Sequence, residues 1–149
     1  MECPKCSSTN FKLDRVSQEF TIGEKTCVVE GILAQVCGDC GEVLIGKEGN
    51  QYIDQEVSAF QNEGYLNRSS IIMDQKGIKA ARLGEVLGLT RQRANAMIGM
   101  DVEVKIKNAL SIAAILQEPV ESIYSYRAIV EQDGKYYLAP LSQLLKLER

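Results

Sequence analysis

Cys3-Pro4-Lys5-Cys6 and Cys37-Gly38-Asp39-Cys40-Gly41 are the two short motifs around which the front of this 149-residue chain must fold. Thirty residues separate them, so the intervening chain has to bring them together. A CxxC turn places two sulfur atoms on one side of a tight loop, and two such turns can surround a metal ion with four thiolates. The pattern predicts structural zinc held by Cys3, Cys6, Cys37 and Cys40, because four thiolates leave no open position for a catalytic water.

Other interpretations of the cysteine pairs are weaker. The N-terminus has no basic start followed by an apolar stretch, so we expect no secretory signal and a cytoplasmic protein. Disulfides rarely persist in that reducing compartment, and a redox-active CxxC usually stands alone within a βαβ unit. The fifth cysteine, Cys27, lies in a strand-like run and is interpreted as a small buried hydrophobic residue. Gly38 and Gly41 are expected to supply the positive φ angles that such turns often require.

The segment between the two motifs has the pattern of an antiparallel hairpin. Phe11 and Leu13 alternate with polar neighbours, and Gly23-Glu24-Lys25 predicts a turn. The run from Cys27 to Val36 is rich in β-branched and apolar residues. Such a hairpin would bring the second motif back against the first, which would close the predicted metal site.

A helix is predicted after the second motif, from Gly46 to Phe60. Ile53, Val57 and Phe60 follow at helical spacing and form one apolar stripe. The polar stretch that follows ends in Gly64, which predicts a helix stop and a module boundary near residue 65.

The middle of the chain, residues 80–98, has the size pattern of a helix-turn-helix. Gly84 is small where two helices would cross, Gly88 permits a sharp turn, and Thr90 is a good N-cap for the second helix. Arginine and amide side chains at the start of that helix suit base edges in the major groove, whereas other cations suit phosphates. We expect base contacts from Thr90, Arg91, Gln92 and Asn95, and phosphate contacts from Lys79, Arg82 and Arg93.

Further elements are predicted after the helix-turn-helix. A helix from about Lys105 to Gln117 is expected, with Ile106, Leu110, Ala113 and either Leu116 or Ile115 on one apolar face, and a short helical turn follows Pro119. Asp133-Gly134 is a strong hairpin dipeptide, and Pro140 opens a short helix. A lone hairpin is marginally stable, so it must pack on the helices or on a second subunit, and the sequence leaves both open.

Together these patterns predict an α+β chain of two modules. Residues 1–65 are expected to form a small β-rich zinc-binding module, followed at residues 66–126 by an all-α helix-turn-helix domain of Cro/repressor type. Residues 127–149 are expected to add a C-terminal hairpin and a short helix.

Charge is distributed unevenly along the chain. Residues 1–63 hold five basic and eleven acidic residues, a net charge of −6, whereas residues 76–107 hold seven basic and three acidic residues, a net charge of +4. Modules of opposite charge favour different partners. A basic stretch alone is a weak indication of nucleic-acid binding, since most charged runs are solvated surface.

The chain resembles the MqsA family of antitoxins, whose front is a YgiT-type zinc module and whose rear is a Cro/repressor-type helix-turn-helix. The matching features are the spacing of the four cysteines, Lys47-Glu48 leading into the helix that ends at Phe60, and the layout from Lys76 to Tyr124. The resemblance implies that the front binds a toxin, typically an mRNA-cleaving ribonuclease. It also implies that the rear forms a homodimer and represses its operon at a palindromic operator.

These features favour a zinc-containing repressor that is also the antitoxin of a type II toxin–antitoxin pair. Two alternatives remain, a stand-alone helix-turn-helix transcription factor and a protein-binding adaptor. An enzyme is not expected, because the chain has no histidine and offers no nucleophile–base pair or open metal site. No apolar run is long enough to span a bilayer, so no membrane partner is expected.

Overall fold

The computed structural model describes residues 1–147, so Glu148 and Arg149, which end the predicted C-terminal segment, lie outside the described residues. The elements are, in chain order, β1 (Phe11–Ile22), β2 (Lys25–Cys37), β3 (Val43–Leu44), α1 (Lys47–Gln61), β4 (Tyr65–Asn67), α2 (Ser69–Lys76), α3 (Ala80–Leu87), α4 (Arg91–Met97), α5 (Ile106–Leu116), α6 (Val120–Ile123), β5 (Tyr124–Gln132), β6 (Lys135–Pro140) and α7 (Leu141–Leu147).

The strands form one six-stranded sheet in the order β1-β2-β6-β5-β4, with β3 paired to β2. The prediction of a β-rich module followed by an all-α domain is therefore wrong. The chain is a mixed α+β fold whose strands run from residue 11 to residue 140. The error lies at β4 and at the start of β5, because three-residue pairings such as Tyr65–Asn67 with Tyr124–Tyr126 are too short to produce a periodic signal.

The residues group by their internal contacts into two compact units. The first unit is Met1–Val57 together with Ile129–Leu138. The second is Ser58–Ala128 together with the chain from Ala139 onward. Each unit is thus assembled from two separate stretches of sequence.

The first unit is built on the predicted hairpin of β1 and β2. Its register runs from Phe11 opposite Cys37 to Ile22 opposite Lys25, so the full hairpin returns the chain to the first cysteine motif. A bulge between Val16 and Gln18 interrupts the ladder, which locally increases its twist. The apolar side of β2 is buried, with Val29 and Ile32 almost completely inaccessible.

Residues 129–138 of the C-terminal hairpin belong to the first unit and pair with its strands, so the alternative of packing on the helices is wrong, whereas packing on a second subunit stays a prediction. Tyr136 of β6 pairs with Cys27 of β2 in parallel orientation. The Lys25 ammonium lies 4.9 Å from the centre of the Tyr136 ring, and Lys135 forms an ion pair with Glu19. The predicted turn is confirmed, since Asp133 and Gly134 both have positive φ, as a tight two-residue hairpin turn requires.

The second unit has one hydrophobic core that the short helices share. Its buried members are Ile72, Met73, Leu83, Ala94, Ile112, Ala113, Leu116 and Ile123. Side chains from α2, α3, α4, α5 and α6 therefore meet in this one cluster. No single helix is long enough to be stable alone, so the shared core stabilises all of them.

The predicted buried face of α5 is wrong in part. Ala113 and Leu116 are buried as expected, but Ile106 is 78% exposed and Leu110 is 54% exposed. The other buried side chains of α5 are Ala109 and Ile112, which the prediction did not include. The helix is apolar nearly all round, so spacing alone could not identify which of two stripes faces the core.

Candidate metal centre and candidate nucleic-acid interface

The four cysteines of the two CxxC motifs come together at one end of the β1–β2 hairpin. The Sγ atoms of Cys3, Cys6, Cys37 and Cys40 all lie within 4.8 Å of one another. Cys3 Sγ is 3.5 Å from Cys40 Sγ, and Cys6 Sγ is 3.5 Å from Cys37 Sγ. Sulfur atoms about 2.3 Å from a tetrahedral zinc ion stand about 3.8 Å apart, so this cluster has the size of a closed four-thiolate site.

The two turns that carry the cysteines have matching backbone geometry. The Ser7 N–H donates to the carbonyl of Cys3, and the Gly41 N–H donates to the carbonyl of Cys37 at the equivalent position. Both Ser7 and Gly41 have positive φ, so the predicted left-handed glycine is confirmed at residue 41. The same prediction is wrong for Gly38, which has no positive φ; a Cβ there would lie 2.6 Å from Asn10 Nδ2.

Backbone amides in the second turn stabilise a thiolate. The N–H groups of Cys40 and Asp39 hydrogen-bond to the Cys37 sulfur and lower its pKa to about 6. The Ser8 N–H acts in the same sense on Cys6, but hydrogen bonds to Cys37 and the other sulfurs, together with burial, outweigh it and raise the Cys6 pKa to about 12. Four sulfurs this close cannot all ionise unaided, because their negative charges repel. A bound cation would remove that conflict, and this donor set therefore fits a divalent metal.

The fifth cysteine does not belong to the metal cluster. Cys27 lies within β2, is 4% exposed, and burial raises the pKa of its thiol. The interpretation of Cys27 as a small buried hydrophobic residue is confirmed.

The local geometry expected for the α3–α4 pair is present. A Cβ on Gly84 would lie 2.8 Å from the Leu89 carbonyl oxygen, so only glycine allows the chain after α3 to approach that closely. Gly88 ends α3 in the left-handed conformation. Thr90 caps α4, because its hydroxyl oxygen accepts a hydrogen bond from the Arg93 N–H at 3.2 Å.

All seven residues predicted to contact DNA are exposed on the second unit, namely Lys79, Arg82, Thr90, Arg91, Gln92, Arg93 and Asn95. A groove of about 440 Å³ brings together Lys79, Arg91 and Asn95 beside the start of α3. Asp74 also lines this groove, and Arg82 is engaged by Glu85 at 3.0 Å. The structure thus brings three of the seven side chains together in this groove. The other four are exposed and do not line it.

Sequence reasoning missed the polar residues that organise the second unit around β4. Asn67 is fully buried and hydrogen-bonds both to the end of α4 and to the loop after it, and Gly64 approaches the backbone of Arg127. A polar residue within a short segment ordinarily indicates a loop, so composition carried no signal for a buried asparagine. A glycine before a β-like Tyr-Leu pair was the only available indication, since isolated glycines mark close backbone approach.

A closed four-cysteine centre in a mixed α+β chain defines a protein with a candidate structural metal site. Residues 1–109 match the family model described as MqsA, the antitoxin component of a bacterial toxin–antitoxin system, and the chain belongs to this antitoxin family. A search of curated proteins finds no match. None of the described helices is both long enough and apolar enough to cross a membrane.

Proposed function

We propose that this antitoxin-family chain is a zinc-containing transcriptional repressor that also neutralises a ribonuclease toxin. The proposal is carried by one observation: the family match at residues 1–109 includes both the four-cysteine cluster and the α3–α4 pair with its basic side chains. In this proposal the zinc-binding module occludes the toxin, and the α3–α4 helix-turn-helix binds the operator. The division into functional segments at residues 65 and 126 stays a prediction.

Zinc is the metal that the donor set favours. Four soft thiolates in a tetrahedral arrangement suit Zn²⁺ or an iron–sulfur centre, whereas hard cations prefer oxygen. Cys3, Cys6, Cys37 and Cys40 would hold the ion. Its role would be structural, because the four thiolates fill all four tetrahedral coordination positions and leave none for a catalytic water. With four thiolates, the site would carry a formal charge of −2 and make the front module more acidic.

The proposed toxin-binding mode is electrostatic occlusion. Residues 1–63 carry a net charge of −6 before any metal is bound. A ribonuclease needs a cationic surface for the RNA backbone, and an acidic protein surface attracts such a face over a distance of about 10 Å at 0.1 M salt. Covering that face would exclude RNA without any reaction.

DNA binding is proposed for the exposed side of α3 and α4. Arg91, Gln92 and Asn95 lie in the first turns of α4, where a recognition helix reads base edges. Lys79 and Arg93 are exposed cations suited to phosphates. Asp74 in the same groove is unfavourable for phosphate, so we expect the contacts to the DNA backbone on the Lys79 side of the groove.

A homodimer is proposed because a single helix-turn-helix reads too few base pairs for a specific operator. Ile106 and Leu110 form an exposed apolar stripe on α5. A groove of about 250 Å³ beside that stripe has Val104 and Val120 among its walls. A surface that carries both protruding and recessed apolar features suits pairing with an identical copy. Leu110→Asp should give a monomer in analytical ultracentrifugation, and an unchanged oligomer would exclude this surface.

The test of the whole proposal is co-expression with the product of the adjacent gene. We expect a stable complex on pull-down and restored growth of cells that express the adjacent gene product. We also expect a gel shift with the chain's own promoter. Complex formation without a gel shift would remove the repressor half, and a gel shift without rescue would remove the antitoxin half.

A second candidate is a stand-alone transcription factor with no toxin. One observation favours it: β5, β6 and α7 lie beyond the residues that match the family. A small basic protein encoded next to this chain would favour the antitoxin, and its absence would favour the stand-alone factor.

A further inference from the structure

Asn67, the last residue of β4, is fully buried and yet has a partner for every polar atom of its side chain. Its Nδ2 donates to the carbonyl oxygens of Met97 and Val102, each at 3.1 Å. Its Oδ1 accepts from the N–H and the hydroxyl of Ser69, at 3.0 and 2.6 Å. A buried amide is retained only where such bonds offset its desolvation, so the surroundings of Asn67 are built to hold it.

The same stretch of chain holds the loop after α4 at further points. The Asn67 N–H donates to the carbonyl of Met100 at 2.9 Å, and the Tyr65 hydroxyl donates to that of Val102 at 2.8 Å. Asn62 Nδ2 donates to the carbonyl of Asp101 at 3.3 Å. We call Asn62, Tyr65 and Asn67, with their bonds to residues 97–102, the loop clamp.

The helix that the loop clamp holds is short and is attached to the shared core by Ala94 and Met97. α4 is seven residues long and buries one side chain completely, that of Ala94. A helix of that length is unstable alone, so its orientation depends on the shared core and on what fixes its two ends. Thr90 fixes the first end. At the other end, the Met97 carbonyl has no later N–H within the helix and is bound by Asn67 instead.

The loop clamp is supported by a strand outside the family match. Tyr65 pairs with Tyr126, and Asn67 pairs with Tyr124, in an antiparallel ladder with β5. The Arg68 N–H then donates to the carbonyl of Ile123 at 2.8 Å. The match ends at residue 109, so the support for the clamp comes from the part of this chain beyond it.

We propose that Asn67 is a positioning residue for DNA recognition: it fixes the C-terminal end of α4 and thereby the direction in which Arg91, Gln92 and Asn95 point. The inference rests on the proposed DNA-binding function of α4. Asn67 would contribute to sequence preference without touching DNA, because base contacts need side chains placed far more accurately than phosphate contacts do.

The test compares three variants of the full-length, metal-loaded chain. Asn67→Asp keeps the size of the side chain but replaces both Nδ2 donors with an acceptor that faces carbonyl oxygens. Tyr65→Phe removes one clamp bond and leaves the ring. Ile72→Val is the matched control, because it trims a buried side chain of the same core cluster and removes no clamp bond.

Two measurements are made on each variant. Amide hydrogen exchange reports opening of residues 91–102 in the free protein. Binding assays compare a duplex taken from directly upstream of the coding sequence with a scrambled duplex of equal length.

For Asn67→Asp we expect exchange at residues 91–102 to rise, and affinity for the native duplex to fall, by about tenfold each. Affinity for the scrambled duplex should change less than about twofold, since phosphate contacts supply it. Tyr65→Phe should change the exchange and the affinity for the native duplex in the same directions, by a few-fold each. If Asn67→Asp does not fold, Tyr65→Phe provides the test of the proposal.

Wild-type exchange at residues 91–102 in both clamp variants would overturn the proposal. An equal loss of sequence preference in Ile72→Val would also overturn it, since the effect would then follow stability alone. If the wild-type chain prefers neither duplex, the proposed DNA-binding function fails, while the exchange data still decide whether Asn67 holds α4.

Discussion

Gly64 meets the backbone of Arg127 so closely that a Cβ on Gly64 would lie 1.8 Å from the Arg127 carbonyl oxygen. The Gly64 carbonyl accepts a hydrogen bond from the Arg127 N–H at 3.0 Å, and Gly64 has a φ of +100°. The residue therefore combines a close backbone approach with a conformation that side chains rarely adopt. This contact joins the start of β4 to β5 within the second unit.

Replacing Gly64 should destabilise the second unit strongly. Gly64→Ala is expected to lower the free energy of unfolding by about 3 kcal/mol or more, because the clash is with backbone that cannot move aside cheaply. Gly77→Ala is the matched control: Gly77 has a φ of +70° but open space around its α-carbon, so only about 1 kcal/mol of strain is expected. Equal losses in urea unfolding of the two variants would contradict the close approach at Gly64.

Removing the hydroxyl group should lower the stability of the protein at one tyrosine of the second unit, Tyr65, but not at another, Tyr124. Tyr65→Phe removes the hydrogen bond to Val102 and should cost about 1 kcal/mol. The buried Tyr124 hydroxyl finds no hydrogen-bond partner among the described residues, so Tyr124→Phe should leave stability unchanged or raise it by up to about 1 kcal/mol. Thermal unfolding of both variants checks the sign, and a clear loss in Tyr124→Phe would contradict it.

The same tyrosine predicts a pH dependence. Burial raises the pKa of Tyr124 to about 12, above the value of about 10 that it has in the unfolded chain. The neutral phenol therefore favours the folded state below pH 10, and this contribution is lost as the pH rises from about 10 towards 12. The stability of Tyr124→Phe relative to wild type should accordingly increase across that range. A difference in the free energy of unfolding that stayed constant between pH 10 and pH 12 would contradict a raised pKa of Tyr124 in the folded state.

Metal removal should unfold the first unit before the second. Cys37→Ser, or a strong chelator, should abolish stoichiometric metal and melt the β1–β2 hairpin, because metal binding supplies folding free energy to a small module. Cys27→Ala is the control: that thiol lies outside the cluster, so metal content should stay at one ion per chain. Elemental analysis and limited proteolysis measure both effects. Loss of the helices of the second unit together with the hairpin would show that the two do not unfold separately.

The C-terminal hairpin should stabilise the first unit through Tyr136. Tyr136→Ala removes the ring that faces Lys25 and should lower the stability of the metal-loaded first unit by about 2 kcal/mol or more. Tyr136→Phe keeps a ring and should lose less than about 1 kcal/mol. Hydrogen exchange in β2 reports the difference, and equal protection in the two variants would show that the ring contact contributes nothing.

Salt dependence should separate the two kinds of proposed DNA contact. Lys79→Ala should weaken binding to every sequence and reduce the slope of log affinity against log salt by about 1. Gln92→Ala should change sequence preference and leave the slope as it is. Lys12→Ala, an exposed cation in β1, is the control and should alter neither. A change in slope with Lys12→Ala would move the DNA-binding surface away from α4.

Signals that act within a few residues could be predicted from the sequence. The paired CxxC motifs, the small Gly84, the left-handed Gly88, the Thr90 cap and the Asp133-Gly134 turn are all found where they were expected. Each of these residues adopts its geometry for reasons of local sterics or of one nearby hydrogen bond, so its type and spacing are informative.

Tertiary structure alone decided which strands pair and which helix face is buried. The bridge between Cys27 and Tyr136, the ladder between β4 and β5, and the outward direction of Ile106 each join residues far apart in sequence or choose between two equivalent stripes. Backbone hydrogen bonds form between almost all residue types, so they do not depend on a particular sequence. A three-residue strand is also too short to show an alternating pattern of apolar and polar residues. The local turns of this chain could therefore be predicted from its amino acids. The pairing of the strands and the burial of Asn67 depend instead on contacts between segments that are far apart in sequence.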